Sequence, residues 1–164
     1  MYWQVYLHKT VISAEFLLIN ILTKAKELAL AGEELFCSPS LREFLYNDHN
    51  DKSFENSPDL VLAFAELDDY DILSAIKVWK SHTNYTLSKL CTWMVNRNLY
   101  KVEMSKQPIP LGRIEELTDV VRKEYNFDEK DLPLVVFENK VENTAYDPAK
   151  GIQILYKNGE LMDI

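Results

Sequence analysis

Apolar side chains between Met1 and Gly32 recur at three- and four-residue steps, through Val11, Ala14, Leu18, Leu22, Ala25 and Ala29, and Phe16, Leu17, Ile19 and Ile21 widen that stripe. The period predicts one long, mostly buried helix. Gly32 can take the left-handed conformation that stops it, and Lys24 and Lys26 lie toward its negative pole. Met1, Tyr2, Trp3 and Gln4 already fit the helix and include no Ser, Thr, Asp or Asn cap, so the pattern predicts a helix entered in mid-course.

Further helices follow. Ser38-Pro39 and Ser57-Pro58 each combine a capping hydroxyl with a proline suited to the first helical position. They predict helices burying Leu41, Phe44 and Leu45, and then Leu60, Leu62, Ala63 and Ala65. The polar stretch Asn47 to Ser57 between them predicts a surface loop. Asp68 caps a third helix that turns Ile72, Leu73, Ile76 and Trp79 inward, and Thr83 or Asn84 opens a fourth whose apolar face is Leu87, Leu90, Cys91, Met94 and Val95. At Leu99 the period changes to two: Tyr100, Val102 and Met104 alternate with Lys101, Glu103 and Ser105, as in a strand with one wet face. Ile114, Leu117, Val120, Val121 and Tyr125 write another helix. Leu134 to Phe137 predicts a strand, and the runs on either side of Asn158-Gly159 predict a β-hairpin. The expected fold is mainly α, with residues 1–98 a helical body and residues 99–164 a small C-terminal α+β subdomain ending in that hairpin.

Composition narrows the function. Eighteen Lys and Arg against 26 Asp and Glu give a formal charge of −8, which argues against broad binding to nucleic acid or to anionic membranes. There is no signal-peptide pattern and no uncharged run of spanning length, so a cytoplasmic location is expected. Cys37 and Cys91 lack CxxC spacing and are expected to be free thiols. Cys91, on a buried face without a base, reads as structural. The chain has no GxSxG elbow, no GxGxxG and no phosphate-binding GxxxxGK[ST] loop. Asp68, Asp69 and Asp71 look like a metal cluster, but successive helical positions diverge by about 100°, which favours a capping role. His49 and His82 read as surface residues.

Three runs in order carry a resemblance: Tyr6-Leu7-His8-Lys9, then Leu67-Asp68-Asp69-Tyr70-Asp71, then Arg97-Asn98-Leu99-Tyr100-Lys101. Together with the long helix they resemble the distal half of an HD-domain phosphohydrolase, of the deoxynucleoside triphosphate triphosphohydrolase branch that includes dGTPase-like proteins. The match covers about two thirds of the chain by motif order, the C-terminal third agreeing only in general pattern. The resemblance implies an HD-like helical bundle, and hydrolysis of a deoxynucleoside triphosphate to deoxynucleoside and tripolyphosphate. In that family a His, a His-Asp pair and a later Asp hold a divalent metal that activates water. This sequence has no His-Asp step, so no metal is expected to be bound by this chain. The resemblance places Tyr6 in the substrate pocket beside the deoxyribose, and His8, Lys9, Arg97 and Lys101 at an allosteric nucleotide site. Leu7 and Trp3-Gln4 depart from the pattern of the regulated members. On these terms the chain is a fragment of a phosphohydrolase with no catalytic residue of its own, and dNTP is its expected ligand. The competing readings are a non-catalytic nucleotide-binding or oligomerisation module and an unrelated helical interaction domain. Tyr2, Trp3 and Tyr6 exposed on an uncapped helix would favour a homo-oligomer.

Overall fold

The computed structural model describes residues 8–105, 107–140, 153–157 and 159–163. Its centre is α1, Lys9–Leu30, which begins later than its apolar pattern suggests. His8 has extended backbone angles, and its Nδ1 accepts the Thr10 N–H at 3.2 Å. The helix is therefore capped at His8; Met1 to Leu7, with Tyr2, Trp3 and Tyr6, lie outside the described residues. It ends as expected. Gly32 takes φ 92°, and the Gly32 and Glu33 amides close onto the Ala29 and Leu28 carbonyls.

The buried side of α1 is Ile12, Ser13, Leu17, Ile21, Lys24, Ala25, Leu28 and Ala29. This seam is rotated by about one residue from the apolar stripe, and Val11 and Ile19 face solvent. The cause is polar. Ser13 donates to the Tyr100 carbonyl at 2.8 Å, and Lys24 donates from Nζ to Asp131 at 2.8 Å and to Glu27 at 3.0 Å. Each side chain is buried because its partner is fixed there.

Around α1 stand α2 (Pro39–Tyr46), α3 (Asp51–Asn56), α4 (Pro58–Glu66), α5 (Asp69–Trp79), α6 (Tyr85–Asn96) and α7 (Leu111–Glu124). The core packs α1 against α6 and α2, and α5 against α6; α4 packs on α2, and α3 on α4. Trp79 fills the core floor and donates from Nε1 to the Phe36 carbonyl at 3.0 Å. Ser38, Ser57, Asp68 and Asn84 all cap through their side chains. Asp71 reaches back to the Asp68 amide, completing a capping box. Asn47 to Ser57 is not simply a loop. Asn50 and Ser53 form a capping box that opens α3, and Phe54 of α3 stacks on Phe44 at 6.3 Å.

Among the described residues, the strands expected at 100–104 and 134–137 do not form. Residues 99–105 have no ladder partner among the described residues, and the Tyr100 carbonyl accepts instead from Ser13 of α1. Glu129–Leu134 is a 3-10 turn, and Val135 to Phe137 follow it without strand pairing. The one ladder among the described residues is antiparallel, β1 (Gln153–Leu155) with β2 (Leu161–Asp163), joined with Gly159 at φ 84°. The architecture is thus mainly helical. Among the described residues no helix is long and apolar enough to cross a membrane.

Lys24 is fully buried, with Asp131 at 1% exposure beside it, and the other Asp131 oxygen accepts from Thr86 at 2.5 Å. Removing one member strands a buried charge. Lys24→Met is expected to cost about 3–5 kcal/mol in urea unfolding. The apolar triple Lys24→Met/Thr86→Val/Asp131→Leu should lose much less. Equal losses would show that shape, not charge pairing, governs this site.

Candidate functional site

The start of α1 and the exit of α6 lie at one end of the bundle. α6 ends where Arg97 adopts φ 59°, and the Arg97 and Asn98 amides bond to the Met94 and Trp93 carbonyls. Three residues on, Tyr100 is fixed from several sides. Its carbonyl accepts from Ser13, its hydroxyl donates to the Leu134 carbonyl at 2.7 Å, and Asn20 donates to that hydroxyl at 3.4 Å. The ring packs edge-on to Trp93 and Phe137. With Tyr100 immobilised, Lys101 leaves the body beside the first turn of α1, exposed to solvent.

Glu103 reports what has been gathered there. Arg113 grips it through Nε at 3.3 Å and Nη2 at 2.7 Å, and gives its remaining Nη1 to Glu116 at 2.9 Å. The Glu103 carboxyl is held below its ordinary range first by the Arg113 hydrogen bonds, then by the Arg113 charge, and then by the charges of Lys101 and Lys9. Lys9 and Lys101, 92 positions apart in sequence, therefore share one electrostatic neighbourhood with Arg113. No acidic residue stands in the first turn of α1, whose pole is positive.

The site residues suggested by the sequence fare differently. Lys9 and Lys101 both act weakly on the Glu103 carboxyl, and His8 precedes Lys9 with its Nδ1 committed to capping. Arg97 is exposed at the exit of α6 and is not among the charges acting on Glu103. Tyr6 lies outside the described residues. Sequence reasoning missed Glu103, Arg113, Ser13 and Tyr100. Ser13, a lone hydroxyl beside Ile12 in an apolar run, was the available signal.

The remaining chemistry is structural. Asp68, Asp69 and Asp71 cap and charge the start of α5. His49 and His82 are partly buried, not surface, residues, pairing with Glu43 at 3.1 Å and Glu33 at 3.6 Å. Burial pushes the Cys91 thiol up to about 12, and both cysteines are free. Among the described residues no three His, Cys, Asp or Glu side chains group closely enough to hold a metal ion.

No family model matches the chain. It is similar to a phosphohydrolase from Bacteroides thetaiotaomicron VPI-5482 known from a crystal structure, with 46% identity and a TM-score of 0.83, over 99% of this chain and 41% of that one. It is also 28% identical over 169 residues to the uncharacterized protein YwfO of Bacillus subtilis (strain 168), covering 100% of this chain and 37% of the relative. The chain spans about two fifths of the length of each.

Tyr100 makes the site sensitive to alkali. Burial pushes its hydroxyl from 10.0 up to about 12, against a smaller lowering by Asn20. Below pH 10.0 both folded and unfolded chains keep the proton; above it the unfolded chain ionises first, so stability falls as pH rises toward about 12. Unfolding midpoints measured across this range should decline more steeply in the parent than in Tyr100→Phe. Parallel declines would mean that the hydroxyl is not the titrating group.

Proposed function

We propose that this chain is part of an HD-type phosphohydrolase acting on deoxynucleoside triphosphates. The observation that carries the reading is the likeness, along almost the whole chain, to a phosphohydrolase of known structure. Deoxynucleotide as substrate rests on the resemblance around Tyr6, His8 and Lys9 and around Arg97 to Lys101. In the reaction, water adds to the α-phosphorus, the bond from that phosphorus to the 5′-oxygen breaks, and deoxynucleoside and tripolyphosphate leave. The proton lost by the water balances the one gained by the 5′-oxygen.

The residues of this chain hold and select the nucleotide in this scheme. The resemblance gives Tyr6 the role of an aromatic wall that excludes a 2′-hydroxyl. Lys9 and Lys101 supply two cations to a polyphosphate at the positive pole of α1, where a bound anion is favoured. His8 can donate from Nε2 when protonated, its Nδ1 being occupied by the Thr10 amide. Arg97, exposed at the exit of α6, adds a guanidinium within the same end of the bundle. None of these groups activates water, and the described residues take no part in that step.

The same end of the bundle also supports a second reading, a nucleotide-binding regulatory module that performs no hydrolysis. Lys9 and Lys101 can hold phosphates without a hydrolytic group beside them.

Calorimetric titration with dGTP, dATP and their ribonucleotide counterparts, followed by assay of tripolyphosphate, separates these readings. Tighter binding of deoxynucleotides is expected, and Lys9→Ala/Lys101→Ala should weaken it about tenfold, or about 1.4 kcal/mol. Tyr6→Ala should reduce the discrimination against ribonucleotides. Binding without tripolyphosphate release by the whole protein that contains this chain, in the presence of a divalent metal, would select the second reading. Equal affinity of the parent and the double variant would remove Lys9 and Lys101 from the site.

A further inference from the structure

Of the nine residues of α4, six are apolar, yet only Leu60 is buried. Val61, Leu62 and Phe64 are 48%, 58% and 60% exposed, although the sequence pattern turns Leu62 inward. Phe64 meets Phe44 and Phe54 edge-on, each at 5.9 Å, and still keeps most of its ring in water. Along this ridge run two clefts of about 410 and 180 Å³, which share Glu43, Asp59 and Ala63; the smaller adds Leu62 and Glu66.

Charge is concentrated in the same place. Between Glu43 and Ile76 the sequence holds nine carboxylates and one lysine, Lys52, so this stretch carries −8, equal to the formal charge of the whole chain, and the remainder is balanced. Two of the nine make ion pairs among the described residues, Glu43 with His49 and Asp48 with Lys26. Asp59 and Glu66, at the two ends of the ridge, make none.

An apolar ridge carrying Asp59 and Glu66, neither in an ion pair among the described residues, selects its occupant. A nucleic acid or an anionic membrane is repelled, and a second copy presenting this face would set these carboxylates against their own kind. We infer that the groove between α2 and α4 is a docking site for a protein helix whose apolar stripe is flanked by lysine or arginine. The stripe covers Val61, Leu62 and Phe64, and the flanking cations enter the clefts toward Glu43, Asp59 and Glu66. Such a site is independent of any nucleotide bound at Lys9 and Lys101.

The probe is a synthetic helix of about five turns carrying a leucine stripe flanked by lysines, titrated into the 164-residue chain and followed by backbone amide shifts. A second peptide keeps the stripe and replaces lysine with glutamate. The lysine helix should bind at least about tenfold more tightly, with shifts centred on α4, and Leu62→Ser should weaken it about tenfold. Asp59→Asn/Glu66→Gln should flatten the dependence of affinity on salt without disturbing the fold, both side chains being at the surface. The inference fails if neither peptide binds, if Leu62→Ser binds as tightly as the parent, or if the shifts miss α4. It also fails if sedimentation shows a dimer that Leu62→Ser dissociates, since the occupant would then be a second copy.

Discussion

A buried ion pair, Lys24 with Asp131, holds the C-terminal segments to the helical body. Lysine is an expensive residue to bury, and its ammonium needs three acceptors or their equivalent. Asp131 and Glu27 accept from it directly, while Lys130, next to Asp131, holds Glu27 from outside at 3.0 Å. Thr86 satisfies the second Asp131 oxygen from α6. The pair therefore works only when α1, α6 and the 3-10 turn are all in place. It fixes the position of Leu134, whose carbonyl accepts from both Asn20 and Tyr100. Tyr100 in turn is held by Ser13, and Lys101 follows it. A charge pair in the middle of α1 thus governs where a surface lysine stands near its beginning.

The two faces proposed to bind ligands are far apart along α1. Lys26 donates to the Phe44 and Asn47 carbonyls and pairs with Asp48, which ties the acidic region to the second half of α1. Lys9 lies 17 residues earlier, about 25 Å along the helix axis at 1.5 Å per residue. That distance is about three Debye lengths at physiological ionic strength. The basic end can attract a polyphosphate without its field being cancelled by the acidic face, and the acidic face can attract cations without competition from the basic end. A net charge of −8 describes neither.

Caps and stops were legible in the sequence because their chemistry is local. Ser38, Ser57, Asp68, Asn84 and Gly32 each do what their own side chain, or lack of one, dictates within a turn. The long-range features were not. The period-two run from Tyr100 to Met104 has the alternation of a strand, but Ser13, 87 positions away, takes the Tyr100 carbonyl that a ladder would need. Val135 and Val136 look like strand residues, yet their amides close onto the Leu132 carbonyl. The same limit applies to α1, whose buried side was displaced by two polar residues that an apolar count ignores. Of the candidate site, Lys9 and Lys101 were legible only through family resemblance, and Arg113 and Glu103 carried no signal in isolation.

Lys9 is the residue whose placement bears most directly on function. A cation in the first helical turn opposes the macrodipole, and folding alone would favour an acid there. The structure supplies no acid within that turn; it brings Glu103 from a distant segment, and Arg113 already engages both of its oxygens. Lys9 consequently retains much of its field toward solvent, and Lys101 adds to it from an anchored backbone. Under the proposed function, an arrangement that is unfavourable for the isolated helix would become favourable on binding an anion of several charges. The helix pole would then be satisfied, the ordering being already in place through Tyr100 and the buried pair at Lys24. This pre-organisation is the physical support for a phosphate-bearing ligand at this end of the bundle.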